Sequence, residues 1–339
     1  MASAQNAQTP GRLNGAARLP DLSYMDLTSI TSGYHALHHQ AAWLDLAGRG
    51  KIRLTGEDRA RLLHAMTTNQ VQNLQPGQGC YAFFLNAQGR ILADVTVLCL
   101  EDSFLLLTEP ETRKKVLEHL DRYIIADDVT LEDETETLDA IAVEGPQAEG
   151  ALAQLGALAV PAEPYGHARS NGWIVVRADT TGSGGFLLIL PAAEKPRLLA
   201  RLEAASVPLA TPEEARTVRI ENGRPRYGEE ITERYLVQET GQLHAVNFSK
   251  GCYLGQEIVE RIRSRAQIHR ILRRVEIDTP QPPQPGAKLR TGDADAGEIS
   301  SAAFSPSLGK TVALAYVKIA SAEPGTNLTL GDAAARVAG

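Results

Sequence analysis

The 339-residue sequence has little of several residue types, and each shortage excludes a class of protein. Its three cysteines, Cys80, Cys99 and Cys252, include no Cys-x-x-Cys pair, so neither a disulfide scaffold nor a zinc or iron–sulfur ligand set is visible. No run approaches the roughly 18 apolar residues of a membrane helix, and the N-terminal segment lacks the apolar core of a signal peptide. We therefore expect a cytoplasmic protein with reduced cysteines, no membrane-spanning segment and no resident metal. We also expect it to be a monomer.

The charge balance and the length limit the partners and the number of domains. Lys and Arg number 34 and Asp and Glu number 41, so the formal net charge is −7. This acidic balance argues against a general nucleic-acid binder, although a local basic patch remains compatible with it. At roughly 150 residues per domain, the chain is long enough for two or three domains with real hydrophobic cores.

The order of predicted elements favours a mixed α+β fold over a regular alternation of strands and helices. Small and polar residues with two prolines predict a flexible tail over residues 1–22, with structure beginning near Tyr24. Two α+β modules follow, over residues 23–137 and 138–278. The segment Thr211-Pro212-Glu213-Glu214 has the composition of a helix start. A Pro-rich linker from Thr279 to Pro285 precedes a module of short strands, which predicts a small β-barrel over residues 279–339.

One acid in the first module is a site candidate on physical grounds. The segments Tyr81–Leu85 and Ile91–Cys99 are typical of two strands joined by a turn, and Asp94 lies inside the second apolar run. If that face is buried, the carboxylate needs a partner or its pKa rises. An acid on an edge strand that faces water is the alternative interpretation.

The most unusual segment is the octet Lys250-Gly251-Cys252-Tyr253-Leu254-Gly255-Gln256-Glu257. A lysine two residues from a thiol can lower the pKa of the thiol, so Lys250 and Cys252 form a candidate reactive pair. The two glycines let the backbone approach a ligand closely. The alternative is a turn that leads into a strand, with Cys252 acting as a small buried hydrophobic residue.

Two charged segments flank the octet. In the segment Arg219–Gly228, Glu221 can accept from the N–H edge of a heterocycle, and Arg226 and Tyr227 can hold a flat or anionic ligand; a strand with surface ion pairs is the alternative. Downstream, Arg261, Arg263 and Arg265 would share one face if the segment is a strand. With three further arginines up to Arg274, this patch can hold a polyglutamate tail, a phosphate or RNA. The RNA interpretation is the weaker one because no aromatic residues are interleaved with the arginines.

Taken in order, these segments resemble the YgfZ family of folate-binding proteins, which are related to the glycine-cleavage T-protein, an aminomethyltransferase. The octet is similar to the YgfZ signature. Thr55–Asn69 and Gly77–Asp94 are similar to the N-terminal folate-binding region, and Gly297–Val317 is similar to the C-terminal barrel. The resemblance implies three modules around a central channel that binds tetrahydrofolate or a one-carbon derivative of it. It also implies partners among iron–sulfur clients or assembly proteins, including an enzyme that modifies tRNA, with Cys252 as the functional thiol.

The sequence departs from the true aminomethyltransferase at the positions that hold the pterin. Where that enzyme has paired acids after the first hairpin, this chain has Ala93-Asp94. Two glutamates of the pterin-binding segment correspond to Ser183 and Leu187, and its tyrosine corresponds to Thr180. Because leucine cannot accept a hydrogen bond, its presence removes a charge-assisted bond worth on the order of 1.5–3 kcal/mol.

The primary hypothesis is therefore a tetrahydrofolate-binding accessory protein that supports the assembly or repair of iron–sulfur enzymes. Cys252 and Lys250 are its candidate reactive residues, and the candidate folate-binding residues are Asn69, Asp94, Glu221, Arg226, Tyr227, Tyr253, Gln256, Glu257 and Arg261. The alternative hypothesis is a folate-dependent aminomethyltransferase or methyltransferase of the T-protein type, so whether the protein is an enzyme stays open.

Overall fold

A computed structural model describes residues 31–156, 159–265 and 268–339, so the predicted tail over residues 1–22 and the predicted start near Tyr24 lie outside the described residues. No helix in these ranges is both long enough and apolar enough to span a bilayer. The helices are α1 (Ser32–His39), α2 (Arg59–Met66), α3 (Arg113–Asp121), α4 (Ala148–Gln154), α5 (Lys195–Ala204), α6 (Pro212–Glu221) and α7 (Gln256–Arg265).

The strands form two open antiparallel sheets and one barrel. The first eight are β1 (Ala42–Asp45), β2 (Gly50–Thr55), β3 (Gly79–Leu85), β4 (Ile91–Cys99), β5 (Phe104–Thr108), β6 (Thr130–Asp133), β7 (Leu138–Glu144) and β8 (His167–Ser170). The others are β9 (Trp173–Val176), β10 (Gly185–Pro191), β11 (Arg270–Ile277), β12 (Lys288–Thr291), β13 (Ala294–Ser305), β14 (Lys310–Lys318), β15 (Asn327–Leu330) and β16 (Ala333–Val337).

The first sheet has the strand order β3-β4-β5-β2-β6, and it confirms the predicted pair of strands around Asn86–Gly89. Helices α2 and α3 cover one face, where Leu63 and Val116 pack against the strands. On the opposite face, Leu98 and Leu105 belong to a core shared with the second sheet. Strand β4 is almost entirely buried because both of its faces are covered.

The second sheet has the order β1-β7-β10-β9-β8, and α4 and α5 pack on its outer face. The sequence predicts a strand–turn–strand unit over residues 44–54, and both strands are present. They belong to different sheets, however, since β1 pairs with β7 while β2 pairs with β5 and β6. The short turn at Gly48 therefore joins two modules, and the second sheet takes its first strand from the segment assigned to the first module.

The C-terminal strands close into a six-stranded barrel of order β11-β14-β13-β12-β15-β16, as expected. Its first strand, β11, precedes the predicted boundary at residue 279 and pairs with β14 along its whole length. The Pro-rich segment Thr279–Pro285 thus connects two strands of the barrel and does not separate two modules. Because proline has no backbone N–H group, it suits a segment that connects two strands as well as it suits a linker between domains.

Helix α6 and the turn after it lie between the sheets and the barrel. The predicted helix start is confirmed by a reciprocal capping box: Thr211 Oγ1 accepts from Glu214 N at 3.2 Å, and the Glu214 carboxylate accepts from Thr211 N at 2.6 Å. The helix ends at Glu221. Gly223 then adopts a φ of 68°, and Arg224 N donates to Arg219 O at 2.9 Å, which turns the chain sharply.

Candidate functional site

A cavity of about 550 Å³ lies where the two open sheets meet α6 and the segment that follows it. The first sheet contributes Tyr81, Asp94 and Thr96, which share one face because side chains alternate along a strand and because Tyr81 lies opposite Thr96. The second sheet contributes Leu44 and Leu187. The lining charges are five acids and five arginines: Asp45, Asp94, Glu109, Asp179, Glu229, Arg49, Arg216, Arg219, Arg224 and Arg226.

Asp94 is buried, with an exposed fraction of 6%. Tyr81 donates its hydroxyl to Asp94 Oδ2 at 2.8 Å, while Oδ1 has no hydrogen-bond partner among the described residues. Burial, and to a lesser extent the neighbouring Glu109, raise the pKa of Asp94 to about 6 against the opposing effect of Arg49. The acid is therefore buried and does not face water, which agrees with the first of the two interpretations of the sequence. A carboxyl group that titrates close to neutral pH can donate or accept a proton from a ligand.

Three aromatic rings lie close to this acid, and two of them, Tyr81 and Tyr165, line the cavity. The Tyr81 ring stacks on Tyr165 with centroids 6.3 Å apart and on His244 with centroids 5.5 Å apart. Tyr165 has a φ of 59°, in the left-handed region that bulky residues rarely adopt, and its N–H donates to Arg177 O at 2.8 Å. Burial raises the pKa of the Tyr81 and Tyr165 hydroxyls, so both stay protonated as donors at neutral pH.

Ion pairs hold most of the cavity arginines in place. Arg49 contacts Glu109 at 2.6 Å, and Arg226 contacts both Glu109 and Glu111, at 3.0 and 2.6 Å. Arg226 therefore lines the cavity as predicted, although its guanidinium already has two carboxylate partners. These contacts connect the first sheet to the turn after α6.

Glu230 organises that turn. It is fully buried and accepts from Arg219 Nη1 at 2.8 Å, from Arg226 N at 2.9 Å and from the Ser301 hydroxyl. Its own carbonyl accepts from the Tyr316 hydroxyl at 2.9 Å. Because Ser301 and Tyr316 belong to the barrel, this one acid joins α6, the turn and the barrel.

The loop between β9 and β10 forms the wall opposite Asp94's sheet. Glu144, fully buried on β7, accepts from the backbone N–H and the hydroxyl of both Thr180 and Thr181. Burial raises the pKa of Glu144. Thr180, Thr181 and Leu187 line the cavity, so the segment that departs from the aminomethyltransferase pattern does face this space. At Leu187 the wall is apolar.

Glu221 and Tyr227, two of the predicted ligand contacts, lie outside the cavity lining. The Glu221 carboxylate is occupied by Tyr34 and His38 of α1, at 2.7 Å each. The Tyr227 hydroxyl accepts from Lys115 Nζ at 3.2 Å, and the tyrosine is buried beneath that ammonium. Both side chains lie at contacts between modules. The chain around them is the end of a helix and the turn after it, and not the strand considered from sequence.

The octet places Lys250 in a cage of carbonyl groups. Its Nζ donates to the carbonyl oxygens of His64, Thr67 and Asn69, at 2.5, 2.6 and 2.9 Å. Burial lowers the pKa of Lys250 to about 8, which a nearby Cys80 partly offsets. All three donors of the ammonium are used on the end of α2 and the loop that follows it, so the spacing of two residues gives no geometric support for activation of Cys252. The Asn69 amide in turn donates to the carbonyls of Tyr81 and His244.

The remaining octet residues begin a helix and not a strand. Cys252 is exposed, whereas Tyr253 is buried and its N–H lies 3.4 Å from Gln256 Oε1. Glu257 and Arg261 form an exposed i,i+4 pair on α7, at 2.5 Å. None of these residues, nor Lys250 or Asn69, is among those that line the cavity.

Gly255 explains one glycine of the octet. Its φ is 84°, and an added Cβ would lie 2.7 Å from Asn86 O. The glycine therefore allows the backbone of the octet to pack closely against the β3–β4 turn. From the sequence, the octet glycines are expected to approach a ligand instead.

The predicted basic strand is wrong, since its arginines divide between two elements. Arg261, Arg263 and Arg265 lie on α7, where residues two apart point in different directions. The others lie on the barrel strand β11, where Arg270 contacts Glu239 at 2.9 Å and Arg274 donates to Glu221 O at 2.7 Å. The segment forms a helix because Gly255 turns the chain into α7.

Several cavity residues could not be found by motif. Glu109 and Asp179 are single acids in loops, and Tyr165 reaches the cavity only through its left-handed backbone. Arg224 is one of several charges in a polar segment, and only its position after Gly223 distinguishes it.

Comparison with known proteins agrees with this architecture. The family model described as the GCVT N-terminal domain matches residues 22–250, and the glycine cleavage T-protein C-terminal barrel domain matches residues 270–338. An aminomethyltransferase of Rubrobacter xylanophilus is 30% identical over 311 residues, covering 89% of this chain and 83% of the relative. A putative chloroplastic transferase of Arabidopsis thaliana is 27% identical over 296 residues, covering 85% and 68%.

Among solved structures, the glycine cleavage system aminomethyltransferase T of Bartonella henselae superposes with a TM-score of 0.82. The alignment covers 91% of this chain and 87% of that protein at 23% sequence identity. The predicted three-module α+β fold with a small C-terminal barrel is thereby confirmed.

Replacing Lys250 tests its role in the carbonyl cage. We expect Lys250→Met to lower the free energy of unfolding by at least about 2 kcal/mol, because three carbonyls lose their donor. The matched variant Cys252→Ala, at an exposed position in the same segment, is expected to change it by less than about 0.5 kcal/mol. Urea denaturation followed by circular dichroism measures both; equal, small effects would show that the ammonium does not hold the loop.

Asp94→Asn tests the raised pKa. An acid whose pKa is raised on folding contributes stability below its unfolded pKa of about 3.9, and this contribution is lost as the pH rises through about 6. Between pH 4 and pH 7, wild type is thus expected to lose on the order of 2 kcal/mol relative to Asp94→Asn. Urea denaturation at both pH values checks this, with the exposed Asp121→Asn as control. A difference between wild type and Asp94→Asn that does not change with pH would contradict the burial argument.

Proposed function

Because this chain belongs to the glycine cleavage T-protein family, we propose that its central cavity binds tetrahydrofolate or a one-carbon derivative of it. A cavity of about 550 Å³ is within the range of sites that enclose a small organic ligand. Tyr81 and Tyr165 offer ring faces to a flat heterocycle, and the apolar wall around Leu187 offers surface for burial.

The observation that carries this proposal is the state of Asp94. A buried carboxyl oxygen without a partner costs free energy unless a ligand supplies a donor. Oδ1 of Asp94 is such an oxygen, and Asp94 is one of the residues that line the cavity, together with Tyr81 and Tyr165. A reduced pterin or an amine attached to it carries N–H groups that satisfy this requirement.

Within that proposal, an accessory folate-binding role is favoured over glycine-cleavage turnover. Leu187 lines the cavity where the aminomethyltransferase pattern has a glutamate, so the N–H edge of the pterin finds no carboxylate at that position. Ala93, in place of the first of the paired acids, is fully buried in the core beneath the sheet. The aminomethyltransferase alternative draws support from relatives of that name, among them the one from Rubrobacter xylanophilus.

A role toward iron–sulfur enzymes, as in the YgfZ branch that the octet resembles, rests on Cys252. An exposed thiol on a surface segment is accessible to a macromolecular client, whereas Cys80 is largely buried, and burial raises its pKa to about 12. This role places the protein in the cytoplasm with iron–sulfur clients or assembly proteins as partners.

Filling the cavity tests folate binding. We expect the wild-type protein to bind tetrahydrofolate in isothermal titration calorimetry under anaerobic conditions. Ala178→Trp, which places an indole in the cavity, is expected to weaken the affinity at least ten-fold, while Ala153→Trp on the exposed side of α4 leaves it unchanged.

Two outcomes would contradict the proposal. Absence of tetrahydrofolate binding by a folded wild-type protein would remove the ligand, and undiminished binding by Ala178→Trp would place the ligand elsewhere. A steady-state assay with an aminomethyl donor and tetrahydrofolate separates the two functions, because multiple turnover would overthrow the accessory role in favour of the transferase.

The thiol is tested in cells. Cys252→Ala is expected to lose complementation of a strain that lacks this gene, scored by the activity of an iron–sulfur enzyme, while the purified variant keeps the wild-type free energy of unfolding. Ser249→Ala, exposed in the same loop, serves as control. Full complementation by Cys252→Ala would remove the thiol from the mechanism.

A further inference from the structure

Among the arginines that line the cavity in the described part of the chain, Arg224 differs from the others because it forms no ion pair. Arg49, Arg216, Arg219 and Arg226 each form an ion pair with a glutamate at 3.0 Å or less. Arg224 also lines the cavity, yet across the described residues it makes no ion pair with any carboxylate. The charge of Asp179 acts on Arg224 without a direct contact between the two charged groups: Asp179 Oδ1 accepts from Gly182 N at 2.6 Å, and Arg224 donates to the Asp179 carbonyl at 3.5 Å.

The position of Arg224 is set in advance by its backbone. The turn after α6 holds Arg224 N on Arg219 O, and Gly223 on one side and Pro225 on the other restrict the chain. The guanidinium is only partly exposed, so most of its hydration is already lost. A preorganised, partly desolvated fork of N–H donors is suited to bidentate recognition of a carboxylate.

Tyr165 and Tyr81 define the surroundings of this cation. The Tyr165 hydroxyl interacts with Arg224 and lies 3.5 Å from His244 Nε2, and its ring stacks on Tyr81. The Tyr81 hydroxyl in turn donates to Asp94. Arg224 is thus connected to Tyr81 through Tyr165, and Asp94 is hydrogen-bonded to Tyr81 directly. Arg224 and Asp94 carry opposite charges.

From this arrangement we infer that Arg224 and Tyr165 form a carboxylate-binding subsite within the cavity. This inference rests on the proposed function, since it concerns a second group of the ligand that meets Asp94, or a second ligand beside it. Asp94 attracts an N–H donor and repels an anion, whereas Arg224 attracts the anion. The carboxylate belongs either to the glutamate tail of the folate or to a separate small carboxylate that shares the cavity.

Calorimetry on wild type and Arg224→Gln distinguishes these sources. The probes are tetrahydrofolate, 6-methyltetrahydropterin (which has no carboxylate) and acetate, the last titrated with and without the pterin. Arg122→Gln, at an exposed arginine of the first module, is the control. If the tail is bound, Arg224→Gln loses at least ten-fold in affinity for tetrahydrofolate and nothing for the pterin. If a separate carboxylate is bound, the affinity for tetrahydrofolate is kept and acetate binding is lost.

The inference is overturned if Arg224→Gln, shown to be folded by circular dichroism, binds both tetrahydrofolate and acetate as wild type does. It is also overturned if neither carboxylate loses affinity when Arg224 is replaced. The proposed function fails separately, if wild type binds neither tetrahydrofolate nor the pterin. In that case the acetate titration alone still decides whether the subsite exists.

Discussion

The arrangement of this protein depends on the pairing of one fully buried acid, Glu230, with Arg219. A carboxylate without access to water must be paired and hydrogen-bonded, so its partners cannot be moved independently. Those partners come from α6, from the turn that carries Arg224 and Arg226, and from Ser301 of the barrel. The barrel contributes to the cavity by fixing this turn, and a loss of either member of the pair would release the wall of arginines from its place.

The cavity combines charged groups that are paired within the protein with charged groups that are not. Glu109, Glu144 and Glu229 are occupied by arginines or threonines and shape the wall. Asp94 Oδ1 and the Arg224 guanidinium lack such partners in the described structure, one with a raised pKa and the other with a fixed charge. In the proposed function, a ligand would meet two polar groups of opposite charge, and Tyr81, Tyr165 and Leu187 would supply apolar surface.

Much of the fold and part of the site follow from local sequence. The capping box at Thr211, the two strands around Asn86–Gly89 and the strand pattern of the barrel are set by residues close in the chain, and the structure confirms them. Asp94 was identifiable because an acid inside an apolar strand has few alternatives. Non-local constraints caused the errors: β11 joins the barrel across the Pro-rich segment, and Gly255 against Asn86 starts a helix where a basic strand was expected.

Local residue patterns are enough to indicate most of the helices and strands, the isolated acid and the family resemblance, because helix starts, alternation and motif spacing are properties of neighbouring residues. Which charged side chains lack an ion pair depends on the folded arrangement of the whole chain. Lys250 donates to three carbonyls, Glu221 accepts from residues of α1 and Arg226 pairs with two glutamates, whereas Arg224 forms no ion pair within the described chain. Whether a charged group is available to a ligand depends on the partners that folding brings to it, and those partners are more than 100 residues away for Lys250, Glu221 and Arg226 alike.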